Sequence, residues 1–458
     1  MAYMNFIAAI DLGTSHIAGM IGTKNADGAL TIIAYESSIN TTKCIRRGCI
    51  YNVDEAAFQI KTLITKLNNK LPPGEKIDKV YVGVGGQSIR SMEHVVTRSL
   101  GLEGVVTSDT LRDMEKECRA FKPEMLDVLS IVSPVYLLDG KLESNPEGIS
   151  CNRIDARYKL IVGRPSLRRN IITCIKEKVQ VDIAGIFISP LVLADTVLHS
   201  SAKELGCVLV SIGAGVTSVS VYRNNELISL NVIPLGGNLV TRDIMSLNIL
   251  ETEAERLKKV HGNVLIDETD DSEISVNVVE NLGSLRQIKL KEFNTVVEAR
   301  MQEIIENVYV RVKETGLLDS LGAGIIMTGG ASSIKNLDVL LKGKFGKNKC
   351  EVRMAAIQKG LIEKSMLTIT DPDYAVIGLL LKGKTNCAYV PPVAPPPPPP
   401  PPPPVDPPVV EEDPVIEQES PRKNPFTQFA KIFADSATSL FNDEEMGTIS
   451  KDNKKKKR

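Results

Sequence analysis

Apolar and polar positions along the chain follow one plan twice, which predicts two successive α/β halves. In the first half, three short apolar strands precede segment 54–70, where apolar side chains recur at three- and four-residue steps and predict an amphipathic helix. An apolar strand at Lys79–Val84 follows this helix. From residue 208 the chain again shows three strands and then helices, and an apolar helix at 371–381 closes this half. Two halves of the βββαβα type imply two lobes around a cleft.

The other elements are predicted from the same periods, with turns at clusters of Gly, Pro and Asn. Strands are expected at 7–12, 17–21, 30–36, 183–188, 208–212, 217–222 and 227–233, and helices at 166–178, 190–199, 239–245, 251–260 and 288–313. A polar segment to about residue 283 separates the last two helices.

Residues 85–163 interrupt this plan and predict an inserted α+β subdomain in the first lobe. Alternating strands at 94–98, 129–138 and 156–162 surround a charged helix near 109–119. The predicted domains are a first-lobe core (1–84 and 164–192), the inserted subdomain (85–163), a second-lobe core (193–238 and 314–388), a small second-lobe subdomain (239–313), a proline-rich linker (389–421) and a C-terminal segment (422–458).

A polar turn, Gly13-Thr14-Ser15-His16, joins the first two strands and is a candidate phosphate site. Gly13 can adopt a positive φ without steric cost, so a phosphate can approach bare backbone N–H groups there. Thr14 and Ser15 add hydroxyl donors, and Asp11 supplies a carboxylate that could hold a hydrated Mg²⁺. An ordinary glycine hairpin gives the same local pattern.

Two later turns strengthen the hypothesis of a ligand site. Gly213 and Gly215 lie in a second strand-turn-strand hairpin, which continues into Thr217. Gly329 and Gly330 follow a buried strand and precede a helical pattern that starts at Ser333. A glycine pair at such a turn lets a flat ring or a sugar lie against the backbone beside a helix N-terminus. Each turn alone is a weak signal, but their order along the chain is more specific.

The order of the three turns resembles the phosphate-1, phosphate-2 and adenosine motifs of actin, sugar kinases and DnaK-type chaperones. Over residues 7–381 the chain more specifically resembles the FtsA family of actin-like cell-division proteins. The segments that carry this resemblance are IAAIDLGTSHIAGMIG, ISCNRIDARYKLIVG, SIGAGVTSVSVYRNNELISLNVIPLGGNLVTRDI, KKVHGN and GIIMTGGASSIKNLDVLL. The resemblance implies an actin-like two-lobed fold in which an inserted subdomain replaces an actin subdomain.

The resemblance also implies an ATP–Mg²⁺ site between the lobes. Gly13, Thr14, Ser15 and His16 are expected on one side of the phosphates, Gly213, Gly215 and Thr217 on the other, and Gly329 and Gly330 at the adenosine. His16 could donate to a phosphate or be a plain turn residue. The family's phosphate-2 motif usually begins with Asp, where this chain has Ser211. Loss of that carboxylate favours nucleotide binding with at most weak hydrolysis. Gly213 and Gly215 still offer backbone donors.

The residues alone leave two other classes of function open. A sugar or acyl kinase uses the same nucleotide fold, although it needs a catalytic base and has no use for a proline spacer. A pilus-assembly actin homologue of the PilM type is a closer alternative, although it lacks a comparable tail.

Composition narrows the partners and the compartment. A net charge of −1 argues against a basic nucleic-acid-binding face. The eight cysteines are scattered without a metal-type pair, which indicates small buried side chains in a reducing compartment. We expect no signal peptide, because the N-terminus lacks a charged segment followed by an apolar one. No apolar run reaches about 18 residues, so no membrane span is expected either.

The C-terminal region changes composition abruptly and predicts a tethered membrane helix. Ten consecutive prolines at 395–404 indicate a polyproline II or disordered spacer, or a proline-rich ligand for a signalling domain. Segment 424–441 then predicts an amphipathic helix with an Asn cap and Pro at its first position. Its apolar face contains Phe426, Phe429, Ile432, Phe433, Leu440 and Phe441. A helix that folds back on a lobe, or that binds a partner protein, has the same pattern.

The family resemblance supplies the expected partners. It implies that the small second-lobe subdomain binds the C-terminal peptide of FtsZ, with Arg286, Lys289, Lys291 and Arg300 as candidate contacts. A solvated helix face explains any one of these cations equally well. The resemblance further implies filaments of this chain, an anionic surface on the cytoplasmic face of the inner membrane at the division septum, and contacts with later divisome proteins.

Overall fold

A computed structural model describes residues 5–389, apart from 103, 268, 270, 278–284, 347–349 and 365–372. The predicted linker and amphipathic helix therefore lie outside the described residues, except for Tyr389. Within the described ranges, no helix has both the length and the apolarity needed to cross a membrane.

The described elements alternate in the way that the apolar pattern predicts. The first lobe and the inserted subdomain contain β1 (Ile7–Leu12), β2 (His16–Lys24), β3 (Leu30–Ile39), β4 (Ile45–Arg46), β5 (Cys49–Ile50), α1 (Val53–Asn68), β6 (Lys79–Val84), β7 (Arg90–Ser99), α2 (Ser108–Ala120), β8 (Asp127–Leu138), β9 (Lys141–Glu143), β10 (Arg153–Gly163), α3 (Pro165–Ile172), β11 (Asp182–Ile188), α4 (Ser189–Val197) and α5 (Ser200–Leu205). The rest of the chain contains β12 (Cys207–Ile212), β13 (Thr217–Arg223), β14 (Glu226–Ile233), α6 (Gly237–Met245), α7 (Glu251–His261), β15 (Glu273–Asn277), β16 (Leu285–Lys289), α8 (Leu290–Lys313), β17 (Ile325–Thr328), α9 (Leu337–Phe345), β18 (Val352–Met354), β19 (Ile362–Lys364) and α10 (Tyr374–Lys382).

Each lobe is built on a sheet whose central hairpin carries one of the first two glycine turns. The first-lobe sheet has the order β11-β6-β1-β2-β3-β19, and the second-lobe sheet begins β18-β17-β12-β13-β14. In both lobes the first strand pairs antiparallel with the next strand and parallel with a later one. The continuous apolar runs of these strands are buried on both faces, as in sheets that are covered by helices.

The inserted subdomain has its own core and extends the sheet of the second lobe. Its strands continue that sheet in the order β7-β10-β8-β9, and α2 covers them. The junction is a single pair, Asn231 with Arg90, supported by bonds from Leu230 N to Ser91 Oγ and from Val232 N to Ile89 O. In sequence the insertion thus interrupts the first lobe, but its strands pair with the sheet of the second lobe.

The end of the described chain, from β19 onward, returns to the first lobe. The predicted assignment of 314–388 to the second lobe therefore holds for β17, α9 and β18 but not for this last part. Strand β19 pairs with β3, and α10 packs on α4 and β1. Gly378 makes this packing possible, because a Cβ there would lie 2.4 Å from the carbonyl oxygen of Val192. Cys387 N also donates to Phe6 O at 2.8 Å. Strand β19 and helix α10 therefore follow second-lobe elements in sequence but belong to the first lobe.

Three local features differ from the sequence prediction. The helix predicted from Ser333 begins at Leu337, because Gly330–Ser333 forms a 3₁₀ turn and Asn336 has a left-handed backbone with φ 61°. Residues Thr173–Val179 continue α3 as a π-helix. The polar segment before the long helix contains the hairpin β15–β16, whose alternate side chains Ile274, Val276 and Ile288 are buried.

Candidate functional site

A cavity of about 1580 Å³ lies between the two lobes and is lined by all three glycine turns. Nine of the ten predicted ligand residues line it: Asp11, Gly13, Thr14, Ser15, His16, Gly213, Gly215, Gly329 and Gly330. Thr217 does not line this cavity, which corrects the prediction for that residue. Its side chain is buried, and its hydroxyl donates to the carbonyl oxygen of Leu235 at 2.9 Å.

The first turn is fixed by Asn40, a buried residue that the sequence analysis did not identify. Asn40 Nδ2 donates to the carbonyl oxygen of Thr14 at 2.8 Å, and Asn40 N donates to the carbonyl oxygen of Ser15 at 2.8 Å. Gly13 does not use the predicted positive φ. A Cβ at Gly13 would instead lie 2.5 Å from the carbonyl oxygen of His16, so the tight turn itself excludes a side chain there.

The second turn is fixed by the N-terminus of α6. Gly237 N donates to the carbonyl oxygen of Gly213 at 2.9 Å, and Asn238 N donates to that of Ala214 at 2.8 Å. The N–H of Gly213 itself donates to the carbonyl oxygen of Val216 at 2.9 Å, so this glycine is not the free backbone donor that the sequence predicted. This bond closes the turn next to Ile212 and Thr217, the last residue pair of strands β12 and β13.

The two turns meet at the floor of the cleft. A Cβ at Gly215 would lie 2.6 Å from Thr14 Oγ1 and 3.0 Å from Arg47 Cα. Thr14 Oγ1 accepts a hydrogen bond from Gly48 N at 2.9 Å, which leaves its own O–H free to donate. The second lobe therefore needs glycine at position 215 in order to approach the first lobe this closely.

At the third turn, the two glycines have different roles. Gly329 has φ 90°, and a Cβ there would lie 2.5 Å from the carbonyl oxygen of Ile212, so the fold requires glycine. A Cβ at Gly330 would meet no protein atom within 4 Å. Gly330 therefore borders open space in the cavity rather than packed protein.

Asp11 is the carboxylate nearest the first turn. Its Oδ1 accepts a hydrogen bond from Ser189 Oγ at 2.8 Å. Burial raises the pKa of Asp11, while the hydrogen bond from Ser189 and the nearby His16 act in the opposite direction. A second carboxylate, Asp373, also lines the cavity and accepts a hydrogen bond from Tyr35 Oη at 2.5 Å. Among the described residues, no three His, Cys, Asp or Glu side chains converge in a way that could hold a metal ion.

One face of α7 lines the opposite wall with charged side chains that the sequence analysis recorded only as a charged helix. Lys258 Nζ is buried and donates to the carbonyl oxygen of Gly237, to Thr241 Oγ1 and to Glu255 Oε2, at 3.1, 2.9 and 2.5 Å. Burial acts to raise the pKa of Glu255, but the Lys258 ammonium holds it below its usual value. The available signal was the spacing of Glu251, Glu255, Lys258 and Lys259, which places them on one helical face.

The four predicted partner contacts lie on the small second-lobe subdomain and are not equally free. Arg300 Nε donates to Asp243 Oδ2 at 2.5 Å, and its guanidinium also pairs with Glu303. Arg286 donates to the carbonyl oxygen of Leu247, and its Nε is buried without a hydrogen-bond partner among the described residues. Lys289 lies 3.8 Å from Asp271, and Lys291 also has a partner. The predicted membrane residues at 426–441 lie outside the described residues.

Comparisons with known proteins agree with the predicted family. The model of the family "Cell division protein FtsA" matches residues 208–377. The cell division protein FtsA of Porphyromonas gingivalis (strain ATCC BAA-308 / W83) is 37% identical over 391 residues, which cover 84% of this chain and 80% of the relative. FtsA of Bacillus subtilis (strain 168) is 28% identical over 377 residues, or 81% and 82% of the two chains.

A solved structure supports the fold independently. The PilM-PilN type IV pilus biogenesis complex is 16% identical with a TM-score of 0.57, and the match covers 82% of this chain and 97% of that chain. This likeness confirms the predicted actin-like two-lobed fold. At such low identity it does not indicate a shared function.

Proposed function

The chain belongs to the FtsA family of cell division proteins, and we propose that it is an ATP-binding adaptor of the division ring. In this role it polymerises, tethers the FtsZ ring to the cytoplasmic face of the inner membrane and helps to recruit later divisome proteins. The observation that carries the nucleotide part is the contact of the two hairpin turns, Thr14 against Gly215, at the floor of the interlobe cavity.

The orientation of the turn peptides supports phosphate binding. The carbonyl groups of Thr14 and Ser15 point to Asn40, and those of Gly213 and Ala214 point to α6. Because peptide bonds are planar and trans, the N–H groups of the residues that follow point the other way. The N–H groups of Ala214 and Gly215 thus face away from α6, and successive N–H groups of a turn can form an anion-binding concavity.

The residues present also fit a hydrated Mg²⁺. This ion usually keeps several waters and takes one or two carboxylates together with substrate phosphates. Asp11 supplies one carboxylate at the first turn, held in place by Ser189. Bound Mg²⁺ would neutralise phosphate charge, while Asp11 orients it and the backbone amides hold the phosphates. Ser211 lies at the position equivalent to Asp11 and adds no second charge, which favours binding with slow turnover.

Calorimetric titration with ATP and Mg²⁺ tests this site. Gly330→Asp places a carboxylate in open cavity space, and we expect ATP affinity to fall by about ten-fold or more through charge repulsion. Gly343→Asp is the matched control, since Gly343 is exposed on α9 and a Cβ there also meets nothing within 4 Å. Gly329 is unsuitable because any side chain there strains the fold. Absence of ATP binding by the wild type, or equal affinity in all three chains, would reject the nucleotide site.

For FtsZ, the proposal is that the cations of the small second-lobe subdomain bind the C-terminal peptide. Arg300 is the sharpest test because it joins α8 to Asp243 of α6. Fluorescence anisotropy with a synthetic FtsZ C-terminal peptide should show weaker binding for Arg300→Ala and a loss of affinity with added salt. Arg311→Ala is the control, since Arg311 lies on the same helix and pairs with Glu314. Equal affinities for the two variants would remove Arg300 from the peptide site.

For the membrane, the proposal is that segment 424–441 lies on an anionic surface. Its apolar face offers about 1.5 kcal/mol per large buried side chain, which roughly balances the cost of ordering the helix. A polymer would then gain membrane avidity from many weak anchors. The full chain should float with anionic vesicles, and a Phe429→Glu/Phe433→Glu chain should not. A Thr427→Glu/Gln428→Glu chain adds the same charge to the polar face and should still float. If neither variant floats, the loss reflects a general charge effect rather than the apolar face.

A further inference from the structure

A short hairpin of the first lobe reaches across the cleft to the second lobe. This cleft hairpin comprises residues 43–51 and contains β4 and β5. Lys43 Nζ pairs with Glu251 of α7 at 2.7 Å. At the hairpin's tip, Arg47 Cα lies 3.0 Å from the point where a Cβ of Gly215 would stand. The cleft hairpin therefore touches the second lobe at two places, one of them the second glycine turn.

The backbone of the tip is fixed by close packing. Arg47 has φ 50° and Gly48 has φ 71°, both in the left-handed region that a non-glycine residue rarely adopts. A Cβ at Gly48 would lie 2.9 Å from Gly86 N, and Gln87 N donates to the carbonyl oxygen of Arg47 at 3.2 Å. Left-handed Arg47 is thus maintained by its neighbours, and residues held in this way often serve a site.

The three lysines that line the cavity pair with carboxylates, whereas Arg46, Arg47 and Arg242 have no carboxylate partner among the described residues. Of these arginines, Arg47 lies against Gly215 of the second turn. Lys43 pairs with Glu251, and both Lys258 and Lys259 pair with Glu255. The guanidinium of Arg46 lies 4.0 Å above the ring of Tyr51. Arg47 donates to a neutral partner, Gln87 Oε1, at 3.2 Å. Within the part of the chain that the structure describes, no carboxylate pairs with Arg47, so its charge is available to an anion in the cavity.

We propose that Arg47 binds the terminal phosphate of a nucleoside triphosphate in the cleft, which makes it the residue that distinguishes ATP from ADP. Gly329, Gly330, the second turn and Arg47 line the same cavity, and Arg47 lies against Gly215 of that turn. A nucleotide with its nucleoside at the two glycines and its phosphates along the second turn would therefore bring its terminal phosphate toward Arg47. A planar guanidinium suits phosphate oxygens through paired hydrogen bonds. This inference rests on the nucleotide site proposed above and assigns one residue within it.

Calorimetry with ADP and with the non-hydrolysable β,γ-imido analogue of ATP, both with Mg²⁺, separates the two proposals. Arg47→Asn removes the charge but tolerates the left-handed backbone. It should weaken binding of the triphosphate analogue by about ten-fold and leave ADP binding within about two-fold. Arg47→Lys should restore part of the triphosphate preference. Arg46→Asn, the same change one residue earlier, should leave both affinities near those of the wild type.

The outcomes are distinct. A wild-type chain that binds neither nucleotide overturns the nucleotide site and this inference with it. Nucleotide binding that persists while Arg47→Asn lowers both affinities equally, or lowers neither, overturns only the role of Arg47. If Arg46→Asn also loses triphosphate binding selectively, the role of Arg47 is overturned. The effect would then follow the net charge of the hairpin rather than a contact of Arg47 with the phosphate.

Discussion

The two central hairpins have the same backbone plan but different chemistry. In β1 and in β12 the burial pattern is identical along six residues, and the one position that is not fully buried is Asp11 in the first strand and Ser211 in the second. Each hairpin closes with a four-residue turn. The first turn carries hydroxyls on Thr14 and Ser15, whereas the second, GAGV, offers only backbone groups. The fold is thus duplicated, and the polar side chains are concentrated at the first-lobe turn.

The two turns are also held in place by different means. One of the two bonds from Asn40 to the first turn comes from its side chain, whereas both bonds that fix the second turn come from backbone N–H groups of a helix N-terminus. A side chain is lost by one substitution, while backbone donors persist whatever side chain they carry. This difference makes the first turn the more vulnerable one.

The largest expected effect follows from that difference. Asn40→Ala removes hydrogen bonds to the carbonyl oxygens of Thr14 and Ile45 and leaves Cys44 N without its acceptor. Because these groups are buried, we expect the free energy of unfolding to fall by about 3 kcal/mol. Asn238→Ala should change it by less than about 0.5 kcal/mol, since only the backbone N–H of Asn238 contacts the turn. Urea denaturation of both variants measures the contrast, and equal losses would contradict it.

The second effect concerns the carboxylate that the hairpins do not share. Asp11→Asn keeps an acceptor for Ser189 but removes the charge, so the gain in ATP affinity on adding Mg²⁺ should fall by about 10- to 100-fold, or about 1.5–3 kcal/mol. Ser211→Ala at the equivalent position should leave that gain within about two-fold of the wild-type value. Titrations with and without Mg²⁺ provide the measurement. A wild-type-like gain in Asp11→Asn would place the metal elsewhere.

A third test restores the symmetry between the hairpins. Ser211→Asp places a carboxylate at the position equivalent to Asp11, on the opposite lobe of the cleft. If the missing charge limits phosphoryl transfer, ATP hydrolysis should rise several-fold, as expected for one added group that orients water or metal. Phosphate release assays measure the rate, with Gly343→Asp as the control, since Gly343 is exposed on α9 and does not line the cavity. No gain would show that Ser211 is not the limiting position.

Local patterns predicted the strands around the cleft well, because their apolar runs are continuous and their turns contain glycine. Strands Lys79–Val84 and Ile7–Leu12 were predicted with their observed bounds. The return of Tyr374–Lys382 to the first lobe and the pairing of Asn231 with Arg90 depend on long-range packing that no local period encodes. Asn40 was missed for a similar reason, since a buried side chain that holds a turn 26 residues away has no local signature.

The smallest effect is a dependence of stability on pH that belongs to the first hairpin alone. Burial raises the pKa of Asp11 above its ordinary value of 3.8, so the folded chain binds a proton at this group more readily than the unfolded chain does. Stability therefore rises as pH falls through the raised pKa and reaches its limit near 3.8, and this contribution is lost as pH rises through the same window.

Asp11→Asn has no proton to bind there. Wild type should consequently be less stable than Asp11→Asn at neutral pH, and the difference should shrink on acidification. Urea denaturation of both chains from pH 7 to about pH 4.5 measures it. A constant difference, or one that grows on acidification, would show that the Ser189 hydrogen bond and His16 outweigh burial at this carboxyl.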